Sequence, residues 1–365
     1  MTNRVALTGA GGFLGWHTRL ALAELGSPCR SLAVGDRFDL DAARQDVSGA
    51  SRVIHLAGVN RASDEQIVDG NIRFARQLSE ALAGAVEPPK VVVFANSTQA
   101  SNGTAYGGAK ARAGEVLAEA AQRIGAEFVD LHLPNLFGEH GRPFYNAVTA
   151  TFCHLLAGGE RPAVQDDKEL TLLHAQNAAD LLVGELAPEE QASVEAHETV
   201  SGLLHRLEGI SRVYADGEIP DIADSFQRDL FNTYRSYTFD SLTPIRLTRH
   251  ADDRGSFFEI IRSHGGNGQS SFSTTVPGIT RGDHFHRRKV ERFTVLAGSA
   301  TISLRRLFSG QVHNFQVCGD DPVAIDMPTG WSHKITNTGS SMLYTSFWAN
   351  ELFDPERPDT TSEMV

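Results

Sequence analysis

Short apolar runs alternate with longer amphipathic stretches along the first half of the chain. The runs have the length and β-branched content of strands, whereas the stretches between them repeat apolar positions with a helical period. The predicted strands are 4–7, 52–56, 91–95 and 128–133, and the predicted helices are 14–25, 65–82 and 109–124. Such alternation predicts an α/β domain, a doubly wound parallel sheet with helices on both faces.

The pattern changes after about residue 245. Strand-like runs at 271–276, 292–297, 300–307, 312–317 and 342–348 are separated by Gly, Pro, Asp and Asn turns, and no helical period is evident. This predicts an all-β sandwich or barrel. Residues 187–240 are mixed and acidic and carry no chemical signal. We therefore expect two domains, 1–242 and 243–365.

Charge and composition narrow the class of protein. The 365 residues are 41% hydrophobic and 21% charged, which excludes a disordered chain and suits two globular domains. The net charge of -12 disfavours nucleic acid and anionic membranes as partners, since both select basic surfaces. Three widely spaced cysteines suggest neither a disulfide framework nor a thiolate zinc site. With no apolar run of about 18 residues and no leader pattern, we expect a cytoplasmic protein.

A glycine-rich loop follows the first predicted strand and opens the first helix. Gly9, Gly12 and Gly15 allow a tight turn, close approach of a pyrophosphate and close packing of helix on sheet. The helix then begins at Phe13 and Leu14, where its N–H groups and dipole favour phosphate. In this strand–loop–helix context the loop predicts a Rossmann dinucleotide site.

Two neighbouring residues give opposite cues about the cofactor. Asp36 lies about where an acid would hold the ribose hydroxyls of NAD, whereas Arg37 could hold the 2′-phosphate of NADP. The residues alone leave NADH and NADPH open.

Tyr106 and Lys110 are four residues apart and share one face of a helix. A nearby ammonium favours the phenolate, so we expect Lys110 to lower the pKa of Tyr106 and make it a usable acid near neutral pH. Ser97, at the end of the preceding strand, can donate to the same carbonyl oxygen, with Thr98 as the alternative. A core tyrosine beside a solvated lysine is the structural alternative.

This half resembles the extended short-chain dehydrogenases/reductases that act on nucleotide sugars. The resemblance is carried by TGAGGFLG at 8–15, HLAG at 55–58, Asn71, Ser97, the YxxxK motif and PNLFG at 134–138. It implies that Tyr106 is the acid, that Lys110 binds ribose and activates the phenol, and that Ser97 orients the carbonyl. It also implies a set of further contacts: Ala57, Gly58 and Asn71 with the cofactor, and Asn135 with the sugar. His132 and the residues at 175–177 depart from the family pattern.

The β-rich half carries a possible metal site. His284 and His286 are two apart, so in an extended strand both can point to one side, and Glu291 and His333 would complete a set of three imidazoles and one carboxylate. Such ligands suit zinc, iron, manganese or nickel. Two surface histidines on a turn are the structural alternative.

These residues resemble the cupin family. Both halves of its signature are present, GX5HXHX4EX6G from Gly278 to Gly298 and PXGX2HX3N from Pro328 to Asn337. The resemblance implies a C-terminal cupin β-barrel. The stretch at 252–259, DDRGSFFE, resembles nucleotide-sugar epimerases of related β folds and implies that Arg254 contacts substrate; a plain Asp/Gly turn before an edge strand is the alternative.

Taken together, the two halves resemble the CapF/WbjC family of bifunctional capsular polysaccharide enzymes. The resemblance implies C3 epimerisation of a UDP-2-acetamido-2,6-dideoxy-4-ketohexose in the cupin, then NADPH-dependent reduction of C4 to the 6-deoxytalose product. It also implies one divalent metal, Zn²⁺, and we expect a homodimer. Two alternatives remain open. One is a fused oxygenase or isomerase cupin, and the other is a one-step reductase or epimerase whose cupin only binds sugar or dimerises.

Overall fold

The computed structural model describes residues 4–365, which divide into two compact units. The first contains the residues up to Phe137, Gly141–Val148 and Lys168–Thr199, and the second contains Gly138–His140, Thr149–Asp167 and Val200–Val365. These limits do not coincide with 1–242 and 243–365, which stay a prediction. No helix in the described chain is long and apolar enough to cross a bilayer.

Apart from the successive strands β5 and β6, the elements up to residue 199 alternate between strand and helix, as the hydrophobic pattern predicts. In chain order they are β1 (Val5–Thr8), α1 (Phe13–Glu24), β2 (Cys29–Leu32), α2 (Leu40–Val47), β3 (Arg52–His55), α3 (Asp64–Ala83), β4 (Val91–Ser97), α4 (Ala105–Ile124), β5 (Glu127–Leu133), β6 (Asn135–Phe137), α5 (Val148–Ala157), β7 (Glu169–His174), α6 (Ala175–Val183) and β8 (Glu195–Thr199). Helix α5 belongs to the second unit except for its first residue, Val148.

Five parallel strands in the order β2-β1-β3-β4-β5 form the sheet of the first unit. Successive side chains point to opposite faces, so Ala6 joins one apolar cluster while Val5 and Leu7 join another. Helices α2, α3 and α4 cover the first cluster, and α1 and α6 cover the second. The doubly wound parallel sheet is confirmed. Its order reverses between β1 and β3, the kind of switch point at which such folds bind ligands.

The second unit begins its regular structure with helices and continues in strands alone. Its remaining elements are α7 (Val200–Ala215), α8 (Ser225–Leu242), β9 (Ile245–Arg246), β10 (Arg249–Asp252), β11 (Gly255–Phe258), β12 (Gln269–Thr275), β13 (Thr280–Phe285), β14 (Glu291–Ala297), β15 (Ser299–Arg306), β16 (Val312–Cys318), β17 (Val323–Met327), β18 (Trp331–Asn337), β19 (Leu343–Ala349) and β20 (Thr361–Ser362). Two antiparallel sheets have the orders β12-β19-β14-β17-β9 and β16-β15-β18-β13-β20, and β10 and β11 form a separate hairpin.

The two five-stranded sheets share one apolar core. Phe293 and Ile325 come from one sheet, and Ile302 and Ile335 come from the other. An all-β architecture after residue 245 is therefore confirmed. Each sheet ends in edge strands, and closure of the two into a cupin barrel stays a prediction.

Candidate functional site

The loop between β1 and α1 needs glycine at its turning points. Gly9 has φ +72°, and a Cβ there would lie 2.8 Å from the backbone nitrogen of Ala57. A Cβ at Gly15 would overlap the carbonyl oxygen of Gly9. Gly12 donates its N–H to that same oxygen at 3.0 Å. The predicted tight turn and close helix packing are therefore present.

Helix α1 starts at Phe13 and Leu14 with Gly12 as its N-cap. No side chain in the described chain caps it, and its first turn carries no acid. Its first N–H groups and dipole therefore favour an anionic group such as a pyrophosphate.

Thr8 ties the end of β1 to the end of β3, across the switch point of the sheet. Its hydroxyl oxygen accepts hydrogen bonds from the N–H groups of Leu56 (3.1 Å) and Ala57 (3.2 Å) and lies 2.8 Å from His55 Nδ1. His55 is buried, and burial first, then the charge of Lys110, lowers its pKa to about 3. The imidazole is therefore neutral at physiological pH.

Asn71 fixes the loop after β3. Its side-chain amide donates to the carbonyls of Val59 (2.7 Å) and Ile67 (2.8 Å), and its oxygen accepts from the Val59 N–H. A Cβ on Gly58 would lie 2.8 Å from that oxygen. Asn71 thus shapes the predicted cofactor edge at Ala57 and Gly58, and direct contact with a cofactor stays a prediction.

Asp36 and Arg37 lie in a 3-10 turn just after β2, and both side chains are exposed. Gln77 holds this turn through two hydrogen bonds with the backbone of Gly35, at 2.7 and 3.1 Å. The Asp36 carboxylate pairs with the Arg73 guanidinium at 3.0 Å. Arg73 on α3 has no signal in the sequence that would connect it with this turn.

Helix α4 begins at Ala105, four residues earlier than predicted, so Tyr106 lies in its first turn. Thr104 caps this end by accepting the Gly107 N–H. Ser97 ends β4, and its hydroxyl bonds with the Tyr106 phenol. The structure thus brings together the two residues that were predicted to contact one carbonyl oxygen.

The predicted effect of Lys110 on Tyr106 is wrong in this structure. Burial raises the pKa of Tyr106, and only the hydrogen bond with Ser97 lowers it in part. The Lys110 ammonium instead donates to the Ala95 carbonyl at 2.5 Å. Burial lowers the pKa of Lys110 to about 7, against the opposing charge of Asp130.

The two predicted substrate residues are both exposed. Asn135 starts β6, is exposed, and donates to the Thr171 carbonyl at 3.1 Å. Arg254 lies in the turn of the β10–β11 hairpin, where its exposed guanidinium pairs with Asp252. Contact with a substrate stays a prediction for both residues.

The four predicted metal ligands form one cluster. They are His284 on β13, His286 just beyond it, Glu291 at the start of β14 and His333 on β18. One potential ligand atom from each lies within 4.8 Å of the others. Glu291 Oε2 is 3.1 Å from His286 Nε2 and 3.3 Å from His333 Nε2. The ligands thus come from both five-stranded sheets.

A β-bulge sets the direction of the first ligand. His284 pairs with His333 across β13 and β18, and the register shifts between Gly282 and His284. Gly282 has φ +111°, and a Cβ there would lie 2.6 Å from the His333 carbonyl. A bulge changes the direction of a neighbouring side chain, here that of His284, and this bulge requires glycine at position 282.

The cluster fits a divalent metal. His333 Nε2 is buried and makes no hydrogen bond within the described residues, although the Glu291 carboxylate is near. His286 Nδ1 is 2.5 Å from a backbone carbonyl, which leaves its Nε2 to point at the other ligands. Burial raises the pKa of Glu291, but its hydrogen bond with His286 and the charges of His286 and His333 outweigh burial and lower the pKa well below the usual value. One carboxylate and three imidazoles are a donor set for zinc and similar ions.

Comparison with known proteins places both halves in one context. Residues 250–361 match the family model described as Polysaccharide biosynthesis C-terminal domain. A UDP-2-acetamido-2,6-β-L-arabino-hexul-4-ose reductase of Pseudomonas aeruginosa is 31% identical over 98% of this chain and 97% of its own. The crystal structure of the capsular polysaccharide assembling protein CapF of Staphylococcus aureus is 30% identical, with a TM-score of 0.60, over 99% of this chain and 100% of that one. The chain belongs to the CapF family.

Membership of the CapF family confirms the predicted resemblance and the prediction that the chain is an enzyme. A UDP-glucose 4-epimerase of Thermotoga maritima matches 64% of this chain and 98% of its own, with 15% identity and a TM-score of 0.52. That similarity shows the fold alone.

Proposed function

We propose that the chain is a bifunctional UDP-sugar enzyme. Its C-terminal half, as a cupin, epimerises C3 of a UDP-2-acetamido-2,6-dideoxy-4-ketohexose. Its N-terminal half then reduces the C4 ketone with NADPH to UDP-2-acetamido-2,6-dideoxy-L-talose. The observation that carries the proposal is the presence, in one chain, of the Ser97–Tyr106 pair with Lys110 and of a separate four-ligand cluster. The name of the P. aeruginosa relative supports the reductive step.

In the reductive step Tyr106 protonates the C4 oxygen. Because its pKa is raised, the phenol keeps its proton at neutral pH and acts as the acid. Ser97 donates to the same oxygen and Lys110 binds the ribose of the cofactor. Bound NADPH supplies the hydride for C4. Gly9, Gly12 and Gly15 shape the loop for the pyrophosphate.

The ion pair of Asp36 favours NADPH over NADH. The Arg73 guanidinium holds the Asp36 carboxylate, which is therefore less available to ribose hydroxyls. The exposed Arg37 lies beside it and can pair with a 2′-phosphate.

For epimerisation, His284, His286, Glu291 and His333 would hold one divalent metal, Zn²⁺. A bound divalent ion supplies a Lewis acid that polarises the C4 carbonyl and acidifies the proton on C3. The Glu291 carboxylate is ionised and can bind the metal without losing a proton, whereas the pKa of His286 is raised, so metal binding at that imidazole competes with protonation. We expect Arg254 and Asn135 to contact substrate and the enzyme to work as a homodimer.

The test uses the full chain and the UDP-4-ketohexose in deuterated water, with and without NADPH. We expect mass spectrometry to detect deuterium at C3 in both samples. The sample with NADPH should also lose the absorbance of NADPH. NADPH oxidation without C3 exchange would contradict the epimerase half and leave the C-terminal half as a sugar-binding or dimerisation module. C3 exchange without NADPH oxidation would contradict the reductase half.

A further inference from the structure

The C-terminal tail, residues 357–363, runs alongside the loop that carries the metal candidates. Within it β20 pairs with β13, so that Ser362 lies opposite His284 and Thr361 opposite Phe285. The tail is therefore part of the same sheet as two of the four potential ligands.

Asp359 holds the connection between His286 and Glu291 through its carboxylate. One oxygen accepts the Arg287 N–H at 2.8 Å, and the other accepts those of Arg288 (3.0 Å) and Lys289 (2.8 Å). Three successive N–H groups on one buried carboxylate fix the path of this loop. Asp359 has φ +43°, a conformation rare outside glycine, so the surrounding contacts impose it.

The backbone carbonyl of Asp359 acts on His286 directly. It lies 2.5 Å from His286 Nδ1. A carbonyl only accepts hydrogen bonds, so Nδ1 carries a proton and Nε2 is left as the nitrogen that can bind a metal. That Nε2 is the atom 3.1 Å from the Glu291 carboxylate.

Lys289 adds a second connection between loop and tail. Its ammonium donates to the Pro358 carbonyl at 2.8 Å, and the side chain is buried rather than solvent-facing. This contact places Lys289 in support of the loop.

We propose that Asp359 is a positioning residue for the metal site. Its carbonyl sets the tautomer of His286, and its carboxylate fixes the spacing between His286 and Glu291. The inference rests on the proposed metal site. Groups that orient a metal-ligating histidine affect metal affinity by about 10–100-fold when removed.

The test measures the zinc dissociation constant of metal-free full-length protein by competition with a chromophoric chelator. We expect Asp359→Asn, whose single amide oxygen cannot satisfy three N–H groups, to raise that constant about 10–100-fold. Glu363→Gln is the matched control, because it changes a carboxylate of the same tail that pairs with Arg305 instead. It should bind zinc like the unmodified protein.

The melting temperature of the metal-free variants separates positioning from general stability. If Asp359→Asn lowers that temperature but binds zinc with unchanged affinity, the inference is wrong. If this variant does not fold, Lys289→Met removes the second tail contact and should raise the zinc dissociation constant in the same direction, by less; unchanged affinity there contradicts the inference. Failure of the unmodified protein to bind zinc would instead overturn the metal site itself, and this inference with it.

Discussion

The Lys110 ammonium donates a 2.5 Å hydrogen bond to the carbonyl oxygen of Ala95. It also lies 4.1 Å from the centroid of the Phe94 ring. Both residues belong to β4, so the lysine is anchored to the strand that ends at Ser97. Because burial lowers its pKa to about 7, its charge is lost as the pH rises through neutrality.

This charge state predicts how cofactor binding depends on pH. We expect the advantage of the unmodified protein over Lys110→Met in NADPH affinity to shrink as pH rises from roughly 6 to 9, because the neutral amine is a weaker partner for the ribose. Fluorescence titration of NADPH with both proteins measures it. Because both proteins bind the same cofactor, the titration of its phosphate cancels in the difference between their affinities. Parallel profiles for the two proteins would contradict the expectation.

Replacing Tyr106 should separate the two reactions. Tyr106→Phe removes the proton donor and should lower the rate of NADPH oxidation by about 10²–10⁴-fold. C3 exchange in deuterated water should be unchanged, since this substitution leaves the metal candidates intact. Tyr344→Phe, an exposed tyrosine on β19, is the matched control. Near-normal reduction by Tyr106→Phe would show that another group supplies the proton.

Hydrophobic periodicity was enough to predict the main elements of the first sheet. It missed β2 because three of its four residues, Cys29, Arg30 and Ser31, are exposed and the run has no apolar pattern. It also started α4 four residues late, because the glycines at 107 and 108 interrupt the helical signal. Position 107 needs glycine because a Cβ there would overlap the Gln99 carbonyl oxygen. Only the folded chain reveals that contact.

Ligand spacing was likewise enough to predict the metal cluster, since motif positions report strand and turn geometry. The residues that support the cluster lie far along the chain and carry no spacing signal. Asp359 contacts His286 only because β20 returns to β13, and a single sequence does not specify that pairing. The hydrogen-bond partner of the Lys110 ammonium could not be predicted for a similar reason. Helical spacing determines which face of α4 carries Lys110, but not which group it contacts.

The turn after β2 should decide between NADPH and NADH. Arg37→Ala should lower the ratio of kcat/KM for NADPH to that for NADH by about 10–100-fold, as expected for the loss of hydrogen bonds to a charged group. Arg30→Ala is the matched control, since Arg30 lies on β2 and pairs with Asp46 at 3.4 Å. An unchanged ratio would show that Arg37 does not contact the 2′-phosphate.

The buried His55 predicts sensitivity to acid. Its pKa is lowered to about 3, so below its ordinary pKa of about 6.5 the unfolded state binds a proton that the folded state does not. The free energy of unfolding should therefore fall between about pH 6.5 and 3, by at most about 5 kcal/mol from this group. Denaturant unfolding of His55→Asn should show a shallower fall over that interval. His205→Asn, at an exposed position, should show the same fall in the free energy of unfolding as the unmodified protein. An equally steep fall for His55→Asn would show that His55 does not cause the acid sensitivity.

Removing one candidate metal ligand should abolish the proposed epimerisation and leave the proposed reduction intact. His286→Ala deletes a buried candidate ligand and should leave the remaining three poorly organised, so we expect metal occupancy, measured by elemental analysis, to fall sharply. Exchange of the C3 proton should be lost with the metal. The variant should still oxidise NADPH when given an already epimerised 4-ketohexose, because Tyr106 and Lys110 are untouched. His205→Ala, on the exposed face of α7, controls for loss of any histidine. Undiminished C3 exchange in metal-free protein would exclude a metal role in epimerisation and leave the cluster as a structural or binding feature.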